Sequence, residues 1–433
     1  MAIIFILLLV LIGGILLGVP IFAAMGLSTL VHYLDTGRES TLLILNQRLF
    51  NGVTSFTFLA VPMFILAGEV MVRGKLIDRL LDVARAFVGH MRGGLAQVNI
   101  LSSIFFAGIS GSGQADIAAM GSTIVPAMVK DGYPRGYAAA ITAQSATLSP
   151  TLPPSIVMVV YGAVFGVPIA ALFAAGASVG LFMAIAYMIL AYFMALKYEL
   201  PLHPRATFRQ TLNAVRAGLA PLGMPAIILI GIFGGIFTTV EAASVAVLYA
   251  LIMTLIVYRT ITLREIGPIL ISAAVTSAAV LIISGVGLTF SYIVAIQHIP
   301  QTILGALSTL SQSPFVIVSL IIVVLLIAGM FVGRTANILL FGPIIIPIFY
   351  ELGYSPVHTA LIIIIVLGVG HLTPPVGGAL LTACLIGRCT LPDILKYMWP
   401  MIILEIALAV VIIFTPALSE SLPAFFDLGG VSR

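Results

Sequence analysis

Long apolar runs follow one another along almost the whole chain, and short polar clusters separate them. The hydrophobic residues within these runs are continuous rather than alternating, which predicts helices and not the strands of a membrane barrel. The runs lie near residues 3–34, 54–72, 136–164, 168–196, 218–237, 241–258, 266–297, 356–388 and 396–416. Because a helix of about 20 apolar residues crosses a bilayer, these runs predict membrane spans.

Two further apolar runs, 95–129 and 314–350, are interrupted near the middle by small polar residues. The interruptions read Gly-Ile-Ser-Gly-Ser-Gly from Gly108 and Val-Gly-Arg-Thr from Val332. Two half-length helices of roughly 12–15 residues are each too short to cross about 30 Å of hydrocarbon. The pattern therefore predicts two re-entrant helical hairpins, which we name hairpin 1 and hairpin 2.

The composition indicates a polytopic membrane protein and excludes several other classes. Only 8% of the 433 residues are charged and 61% are hydrophobic, with a mean hydropathy of +1.23. A soluble surface cannot be built from so few polar groups. The net charge of +4 is spread along the chain and forms no basic patch for nucleic acid, and the two cysteines, Cys384 and Cys389, provide neither a disulfide framework nor a cysteine-rich metal site. The expected fold class is an all-α polytopic membrane protein.

Basic residues cluster in alternate loops and predict the orientation of the spans. Most of them lie within 73–92, 130–135, 197–216, 259–264 and 388–396, and the positive-inside tendency places these regions in the cytoplasm. The loops between them contain Arg38, Arg48 and the terminal Arg433. When the membrane crossings are counted along the chain from these cytoplasmic regions, hairpin 1 is expected to enter the membrane from the cytoplasm and hairpin 2 from the opposite face. The apolar N-terminus, without a basic n-region or a clear cleavage site, is interpreted as a retained span.

The first basic cluster also has an apolar stripe at helical spacing. The stripe comprises Leu76, Leu80, Val83 and Phe87, which predicts an amphipathic helix at the membrane interface. Glu69, just before this cluster, is interpreted as an interfacial group near the end of its span.

The chain contains an internal repeat with an offset of 221 residues. Between 107–154 and 328–375, 13 of 48 gapless positions are identical, whereas chance in so biased a composition gives about four. Many of the identities are glycines and prolines, which constrain backbone shape. Because the two hairpins open to opposite faces, the repeats are predicted to be inverted, as is typical of secondary transporters.

The repeat suggests a division into a scaffold and a transport domain. The expected domains are scaffold helices and an interfacial arm at 1–94, transport repeat 1 at 95–164, connecting scaffold helices at 165–313, transport repeat 2 at 314–388, and a C-terminal scaffold helix and tail at 389–433.

Each repeat has a second interruption, in the span that follows its hairpin. The helix breaks Pro153-Pro154 and Pro374-Pro375 occupy the same phase of the repeat. A Pro-Pro pair removes two N–H donors and leaves upstream carbonyls without helical partners. Such carbonyls, together with Ser and Thr hydroxyls, suit a hard monovalent cation such as Na⁺, while the half-helix N-termini at the hairpin tips suit an anionic group.

Two charged residues lie near the hairpin tips, where a charge inside the membrane requires a partner or water. Asp116 is expected to have an electrostatic or structural role, and Arg334 is hypothesised to bind a carboxylate or sulfonate of the substrate. Further polar residues expected to contact the substrate are Gln114, Ser145, Thr147 and Asn337, and capping of the tip is the alternative role of Asn337. His371 either forms a local hydrogen bond or titrates and couples transport to protons. Glu405 is interpreted as structurally paired.

The motifs at the hairpins and breaks resemble those of the large membrane subunit of tripartite ATP-independent periplasmic (TRAP) transporters. They read Gly108-Ile-Ser-Gly-Ser-Gly-Gln-Ala-Asp116, Thr151-Leu-Pro-Pro-Ser155, Ile346-Pro-Ile-Phe-Tyr-Glu-Leu-Gly-Tyr354 and His371-Leu-Thr-Pro-Pro-Val-Gly377. The resemblance covers nearly the whole chain. It implies uptake of small organic anions, coupled to two or more Na⁺ ions, by an elevator motion. It also implies a small four-helix membrane subunit and a soluble periplasmic binding protein as partners, in the inner membrane of a bacterium or archaeon.

The resemblance further assigns sodium ligands. The first site would comprise Ser110, Ser112 and Ser149 with backbone oxygens near Leu152, and the second site would comprise Gly333, Gly370 and Thr373. The family often carries an acidic residue at about position 333 or 334, where this chain has Gly333-Arg334. This departure either weakens the second ion site or gives the anion a direct partner.

Two transport functions remain open, and an enzyme is not expected. The chain has no His-Glu-x-x-His, no Gly-x-Gly-Asp, no clustered Asp pair and no P-loop for ATP. The leading interpretation is the large permease subunit of a three-component importer. The alternative is a stand-alone ion-coupled anion symporter or exchanger with a related inverted-repeat fold. Candidate substrates are C4-dicarboxylates, sialic and other sugar acids, sulfonates and ectoine-like solutes.

Overall fold

The computed structural model describes residues 2–36 and 39–430. Within these residues the chain forms α-helices and no strand. The helices are α1 Ala2–Leu16, α2 Ile21–Thr36, α3 Glu39–Thr54, α4 Ala60–Arg73, α5 Ile77–Val88, α6 Gly94–Ser110, α7 Gly113–Lys130, α8 Arg135–Ser145, α9 Ile156–Phe165, α10 Ile169–Lys197, α11 Phe208–Phe233, α12 Thr239–Leu251, α13 Leu263–Ile296, α14 Ile299–Leu310, α15 Pro314–Phe331, α16 Arg334–Glu351, α17 Pro356–Leu372, α18 Gly378–Gly387, α19 Leu391–Phe414 and α20 Ala417–Phe425. A 3₁₀ segment precedes α4 (Phe56–Leu59), another extends α8 (Ala146–Leu148), and a π-helical segment extends α12 (Ile252–Val257). The prediction of an all-α protein is confirmed.

Seven helices in the described part of the chain are long and apolar enough to cross a membrane. Helix α10 shows the pattern: Leu181, Ile185 and Ile189 lie one turn apart and are exposed, while Leu172 and Phe173 are fully buried. An outward-facing apolar stripe of this kind fits hydrocarbon rather than water. The chain is therefore a multi-pass membrane protein.

The prediction of a single span over 3–34 is wrong, because the structure has two helices there, α1 and α2, that pack against each other. The chain turns between them at Gly18, which has φ +80°, and at Pro20, which has no N–H for a helical bond. Ser28 of α2 donates a hydrogen bond to the Leu7 carbonyl oxygen of α1 at 2.7 Å. The N-terminal apolar run is thus a helical pair.

Helix α5 lies where the amphipathic pattern predicts a helix. Leu80 and Val83 are buried where α5 packs on α6 and α11, whereas Phe87 is half exposed. Helices α3 and α14 are not covered by any predicted run. Arg38 and Arg433, which entered the orientation argument, lie outside the described residues.

Each predicted hairpin is a pair of packed helices joined by a two-residue link. Helices α6 and α7 are joined at 111–112, and α15 and α16 at 332–333. These helices have 17 or 18 residues, more than expected for half-length helices, because they fill each apolar run up to a link of only two residues. Helix α15 is by itself long and apolar enough to cross a membrane.

The span after each hairpin is interrupted at the Pro-Pro pair. Helix α8 and its 3₁₀ extension end at Leu148 and α9 begins at Ile156, while α17 ends at Leu372 and α18 begins at Gly378. Both Pro-Pro peptide bonds, 153–154 and 374–375, are cis.

The repeat extends further in the structure than in the sequence comparison. Shifted by 221 residues, α5 to α10 fall on α14 to α19 with boundaries that agree within one residue at most helix ends. The segment 56–73, which contains α4, likewise falls within α13. The structural repeat therefore pairs 56–197 with 277–418 and includes α10 and α19.

The two repeats are intertwined by reciprocal contacts. A β-carbon at Gly121 of α7 would lie 3.1 Å from Ile386 of α18, and one at Gly342 of α16 would lie 2.5 Å from Phe165 of α9. In the 221-residue register Gly121 is equivalent to Gly342, and Phe165 to Ile386. Reciprocal contacts, in which residue i contacts residue j and their equivalents exchange roles, are those that a two-fold axis between two units produces. Each hairpin thus packs against the broken helix of the other repeat.

Candidate functional site

Both hairpin tips lie on a single cavity of about 350 Å³. Among the residues predicted for the site, its wall includes Ser110, Ser112, Gln114, Thr147, Gly333, Arg334 and His371. The opposite wall comes from α4 and α13, which contribute Glu69 and Thr276. The cavity therefore lies between the tips of the two repeats and a pair of helices that are equivalent in the repeat.

The tip of hairpin 1 touches the break of its own repeat. A β-carbon at Gly111 would lie 2.5 Å from the Pro154 carbonyl oxygen, and one at Gly113 would lie 2.8 Å from the Ala146 carbonyl oxygen. Gly111 also has φ +57°, a conformation that favours glycine. The close approach places Ser110 and Ser112 next to the break.

The first predicted sodium site has several hydroxyl oxygens near the helix ends. The Ser112 hydroxyl accepts from the Ala115 N–H at 3.5 Å and caps α7. The buried Ser149 hydroxyl donates to Asp116 Oδ2 at 2.7 Å, so its lone pairs remain available to a cation. Leu152 lies in the break, with its side chain near Gly180 of α10.

Asp116 is fully buried and connects the first predicted sodium site to a chain of polar side chains. Besides Ser149, Ser103 lies 3.2 Å from Asp116 Oδ1 and 3.1 Å from the Ser145 hydroxyl. Ser145 in turn donates to Asn99 Oδ1 at 3.1 Å. Ser145, predicted to contact the substrate, therefore makes its hydrogen bonds within this buried chain.

Hairpin 2 also packs against its own break, through the C-terminal turns of α15 rather than through its link. A β-carbon at Gly370 would lie 2.5 Å from the Leu326 carbonyl oxygen and 2.8 Å from Gly329 Cα. Across the same contact, the Gly377 N–H donates to the Met330 carbonyl oxygen at 2.9 Å. Hairpin 2 and its break are therefore held together backbone to backbone.

The second predicted sodium site has fewer side-chain oxygens than the first. In the repeat register Gly333 replaces Ser112 and Gly370 replaces Ser149, while Thr373 stands where the first repeat has Leu152. The Thr373 hydroxyl donates to the Val369 carbonyl oxygen at 2.6 Å. Backbone carbonyls and this one hydroxyl are thus the ligands that these residues can offer. The described residues contain no group of three or more His, Cys, Asp or Glu side chains that could hold a metal ion.

Arg334 is 8% exposed and lies between equivalent positions of the two repeats. Its Nη1 donates to the Thr147 carbonyl oxygen at 3.3 Å, and its Nη2 lies 2.9 Å from where a β-carbon at Gly368 would be. Thr147 and Gly368 are equivalent in the repeat. The Nε atom of Arg334 has no hydrogen-bond partner. The guanidinium thus lies at the cavity wall with its buried Nε donor unused.

Asn337 and His371 differ in their relation to the cavity. The buried Asn337 amide donates to the carbonyl oxygens of Val332 at 2.8 Å and Ala328 at 3.1 Å, so it orders the tip of hairpin 2. His371 is on the cavity wall, and its Nδ1 has no hydrogen-bond partner.

Sequence reasoning missed two residues of the cavity wall, and it interpreted Glu405 as structurally paired without predicting its partners. Glu69, interpreted as interfacial, lies on the cavity wall, and so does Thr276. Glu405 is 1% exposed and accepts from the Tyr187 hydroxyl at 2.5 Å, and its Oε1 lies 2.7 Å from the Thr147 hydroxyl. An acidic residue within an apolar run is the available sequence signal for both glutamates, but their placement depends on packing between distant helices.

Comparison with known proteins agrees with this architecture. The structure is similar to that of the YdaH transporter of Alcanivorax borkumensis, with a TM-score of 0.62 and 14% identity over 88% of this chain and 90% of that one. This likeness concerns the fold alone.

Two curated relatives are permeases with different substrates. The chain is 33% identical to the ectoine/5-hydroxyectoine TRAP transporter large permease protein UehC of Ruegeria pomeroyi, over 93% of both chains. It is 36% identical to the C4-dicarboxylate TRAP transporter large permease protein DctM of Pseudomonas aeruginosa, over 88% of this chain and 89% of the relative. The family described as "Tripartite ATP-independent periplasmic transporter, DctM component" matches residues 6–418. The chain therefore belongs to the DctM component family of TRAP transporters.

Proposed function

We propose that this chain is the large permease subunit of a sodium-coupled, binding-protein-dependent importer of small organic anions. The observation that carries the proposal is the cavity where two hairpin tips, a helix break and the donors of Arg334 meet. A carboxylate or sulfonate in this cavity would find a guanidinium beside it and the N-termini of α7 and α16 at its edge. The relatives carry different substrates, so the proposal extends to the anion class and no further.

Sodium ions would bind where the tips meet the breaks. Ser110, Ser112 and Ser149 would provide oxygens for one ion, and the carbonyls of Gly333 and Gly370 with Thr373 would provide those for another. Binding of the cations would offset the negative charge of Asp116 and order the tips, and the anion would then bind between them. This order of events couples the anion to the sodium gradient.

Transport would follow from movement of the tips and breaks relative to the α4–α13 wall. In this elevator proposal, hairpins 1 and 2 enter the membrane from opposite faces and the repeats are inverted, as the distribution of basic loops favours. We assign α10 and α19 to the moving unit as well, because Tyr187 of α10 and Glu405 of α19 hydrogen-bond with Thr147 beside the first break. The moving unit then extends beyond the expected boundaries at 164 and 388.

The partners proposed are those of the family, which is tripartite. A small membrane subunit would cover part of the exposed apolar surface, and a periplasmic protein would deliver the substrate. The complex would lie in the inner membrane of a bacterium or archaeon.

Reconstitution tests the proposed function. The chain and its small subunit, in proteoliposomes, should import the compound that the cognate binding protein retains only when a Na⁺ gradient and that protein are both present. Uptake driven by a pH gradient alone would contradict sodium coupling. Uptake by the chain without partners would instead favour a stand-alone symporter or exchanger.

Arg334→Gln tests the anion site within the same assay. The variant removes the charge and most of the donors, so we expect uptake to fall at least tenfold, the scale of losing a charge-assisted hydrogen bond of about 1.5–3 kcal/mol. Arg334→Lys should retain part of the activity, because the ammonium keeps the positive charge but lacks the planar pair of N–H donors of a guanidinium. Normal uptake and normal substrate affinity in Arg334→Gln would contradict the proposal.

A further inference from the structure

Glu405 is a buried carboxylate that lies next to the Arg334 end of the cavity without being part of its wall. It is on α19, and its neighbours come from two other elements: Tyr187 from α10 and Thr147 from the 3₁₀ extension of α8. The Tyr187 hydroxyl donates to Glu405 Oε1 at 2.5 Å, and the Thr147 hydroxyl lies 2.7 Å from the same oxygen. Three helices therefore converge on one carboxylate.

Thr147 connects this carboxylate to the guanidinium of Arg334. Its carbonyl oxygen accepts from Arg334 Nη1 at 3.3 Å, while its hydroxyl faces Glu405. The two charges interact electrostatically. They do not form a direct ion pair, since the one ion pair within 4.0 Å in the described residues is between His203 and Asp131. Glu405 and Arg334 are thus close but separated by one residue.

This separation has a physical consequence for the guanidinium. A buried charge at membrane depth requires a countercharge. A direct, two-pronged contact with a carboxylate would also occupy the donors of the fork. Here the countercharge is present without such a contact, since Nη1 donates to the Thr147 carbonyl oxygen and the buried Nε has no partner, so no carboxylate of the protein occupies the fork.

We infer that Glu405 is a positioning residue, the internal counter-ion that compensates the charge of Arg334 without occupying its fork of donors while the site is empty. The inference rests on the proposed function, in which Arg334 binds the anion. A substrate carboxylate or sulfonate then interacts with a guanidinium whose positive charge Glu405 already partly neutralises. Glu405 therefore limits the affinity for the anion and lets the empty carrier return without an uncompensated charge.

A double-mutant cycle on the purified protein without substrate tests the charge pairing. Glu405→Gln preserves the volume and an acceptor oxygen but removes the charge, so we expect the melting temperature to fall by several degrees when Arg334 is present. In the Arg334→Gln background the same change should have little effect. The double variant should be more stable than Glu405→Gln alone, which keeps the test decisive even if that single variant fails to fold. Equal effects of Glu405→Gln in both backgrounds would overturn the inference.

Tyr187→Phe is the matched control for hydrogen bonding. It removes one hydrogen bond to Glu405 and leaves both charges in place, so its effect on the melting temperature should be the same in the Arg334→Gln background as in the unaltered protein. Non-additivity with Arg334→Gln as large as that of Glu405→Gln would mean that the cluster acts through its geometry and not through charge, and would overturn the inference.

Sodium acetate serves as a probe of the freed guanidinium, compared with sodium chloride at equal concentration. Acetate should raise the melting temperature of Glu405→Gln more than that of the unaltered protein, with an apparent affinity roughly three- to tenfold higher, the scale of one screened charge interaction. Arg334→Gln should show no acetate effect. An acetate response that is equal in Glu405→Gln and the unaltered protein, including none in either, would overturn the inference. Because neither measurement involves uptake, failure here is distinguishable from failure of sodium-driven import.

Discussion

At the scale of single residues, Asp116 and its repeat equivalent Asn337 have different hydrogen-bond partners. Asp116 accepts hydrogen bonds from side chains of two elements, Ser103 of α6 and Ser149 of the break. Its equivalent, Asn337, donates to backbone carbonyls of its own hairpin. The first repeat thus places a carboxylate beside a predicted sodium ligand, and the second has a neutral amide that orders the tip.

We predict that Asp116→Asn weakens sodium binding at the first site. The variant loses a negative charge next to the cation and can no longer accept from both serines, and removal of such supporting groups weakens metal binding roughly tenfold or more. The measurement is the Na⁺ concentration that gives half-maximal uptake in proteoliposomes. Ser103→Ala removes one hydrogen bond and leaves the charge, so it should have a much smaller effect. Unchanged sodium dependence in Asp116→Asn would contradict an ion site beside Ser149.

At the scale of elements, the two hairpin links differ in how closely the neighbouring backbone packs around them. Gly111 combines a positive φ with a neighbour at 2.5 Å, whereas Gly333 in the other link has φ −61° and no atom within 4 Å of an added β-carbon. The two links therefore tolerate substitution very differently.

We predict that Gly111→Ala destabilises the protein and that Gly333→Ala does not. The left-handed conformation alone costs an alanine about 1–2 kcal/mol, and the contact with the Pro154 carbonyl adds to this. Thermal unfolding of the purified protein measures the difference. Equal melting temperatures for the two variants would show that hairpin 1 does not lie against its break in this way.

At the scale of the whole molecule, helix α13 packs along α16 at the boundary between the proposed wall and the proposed moving unit. A β-carbon at Gly287 would lie 3.1 Å from Leu339 Cβ. The β-carbons of disulfides are about 3.5–4.5 Å apart, so a small outward shift would allow a cross-link.

We predict that Gly287→Cys with Leu339→Cys, in a background with Cys384 and Cys389 replaced by alanine, is active when reduced and inactive when oxidised. The matched control is Ala139→Cys with Gly387→Cys, which joins α8 to α18 within the moving unit, where a β-carbon at Gly387 would lie 2.8 Å from Ala139 Cβ. Oxidation of the control should leave uptake intact. Full uptake by the oxidised test pair would contradict sliding between α13 and α16.

The accuracy of the sequence predictions depended on whether a feature is local. Interrupted apolar runs predicted the two hairpins, and Pro-Pro pairs predicted where α8 and α17 end, because glycine and proline act on the backbone at their own positions. The N-terminal run was misread because Gly18 and Pro20 interrupt it without any polar residue. Glu69 was missed as part of the site and the partners of Glu405 were not predicted, since the neighbours of both come from helices far away in the chain.

Gly121 contacts Ile386 and Gly342 contacts Phe165 in a reciprocal way. This exchange suggests how a second conformation of the protein, the other end state of the proposed cycle, can be derived. The two halves are similar but not identical, since α17 continues to Leu372 whereas α8 with its extension ends at Leu148, three residues earlier in the shared register. Building each repeat on the backbone of the other therefore gives a distinct second conformation, which under the proposed elevator motion would open on the opposite face of the membrane. Two unequal repeats in one chain would thus contain the backbone conformations of both end states of the proposed transport cycle.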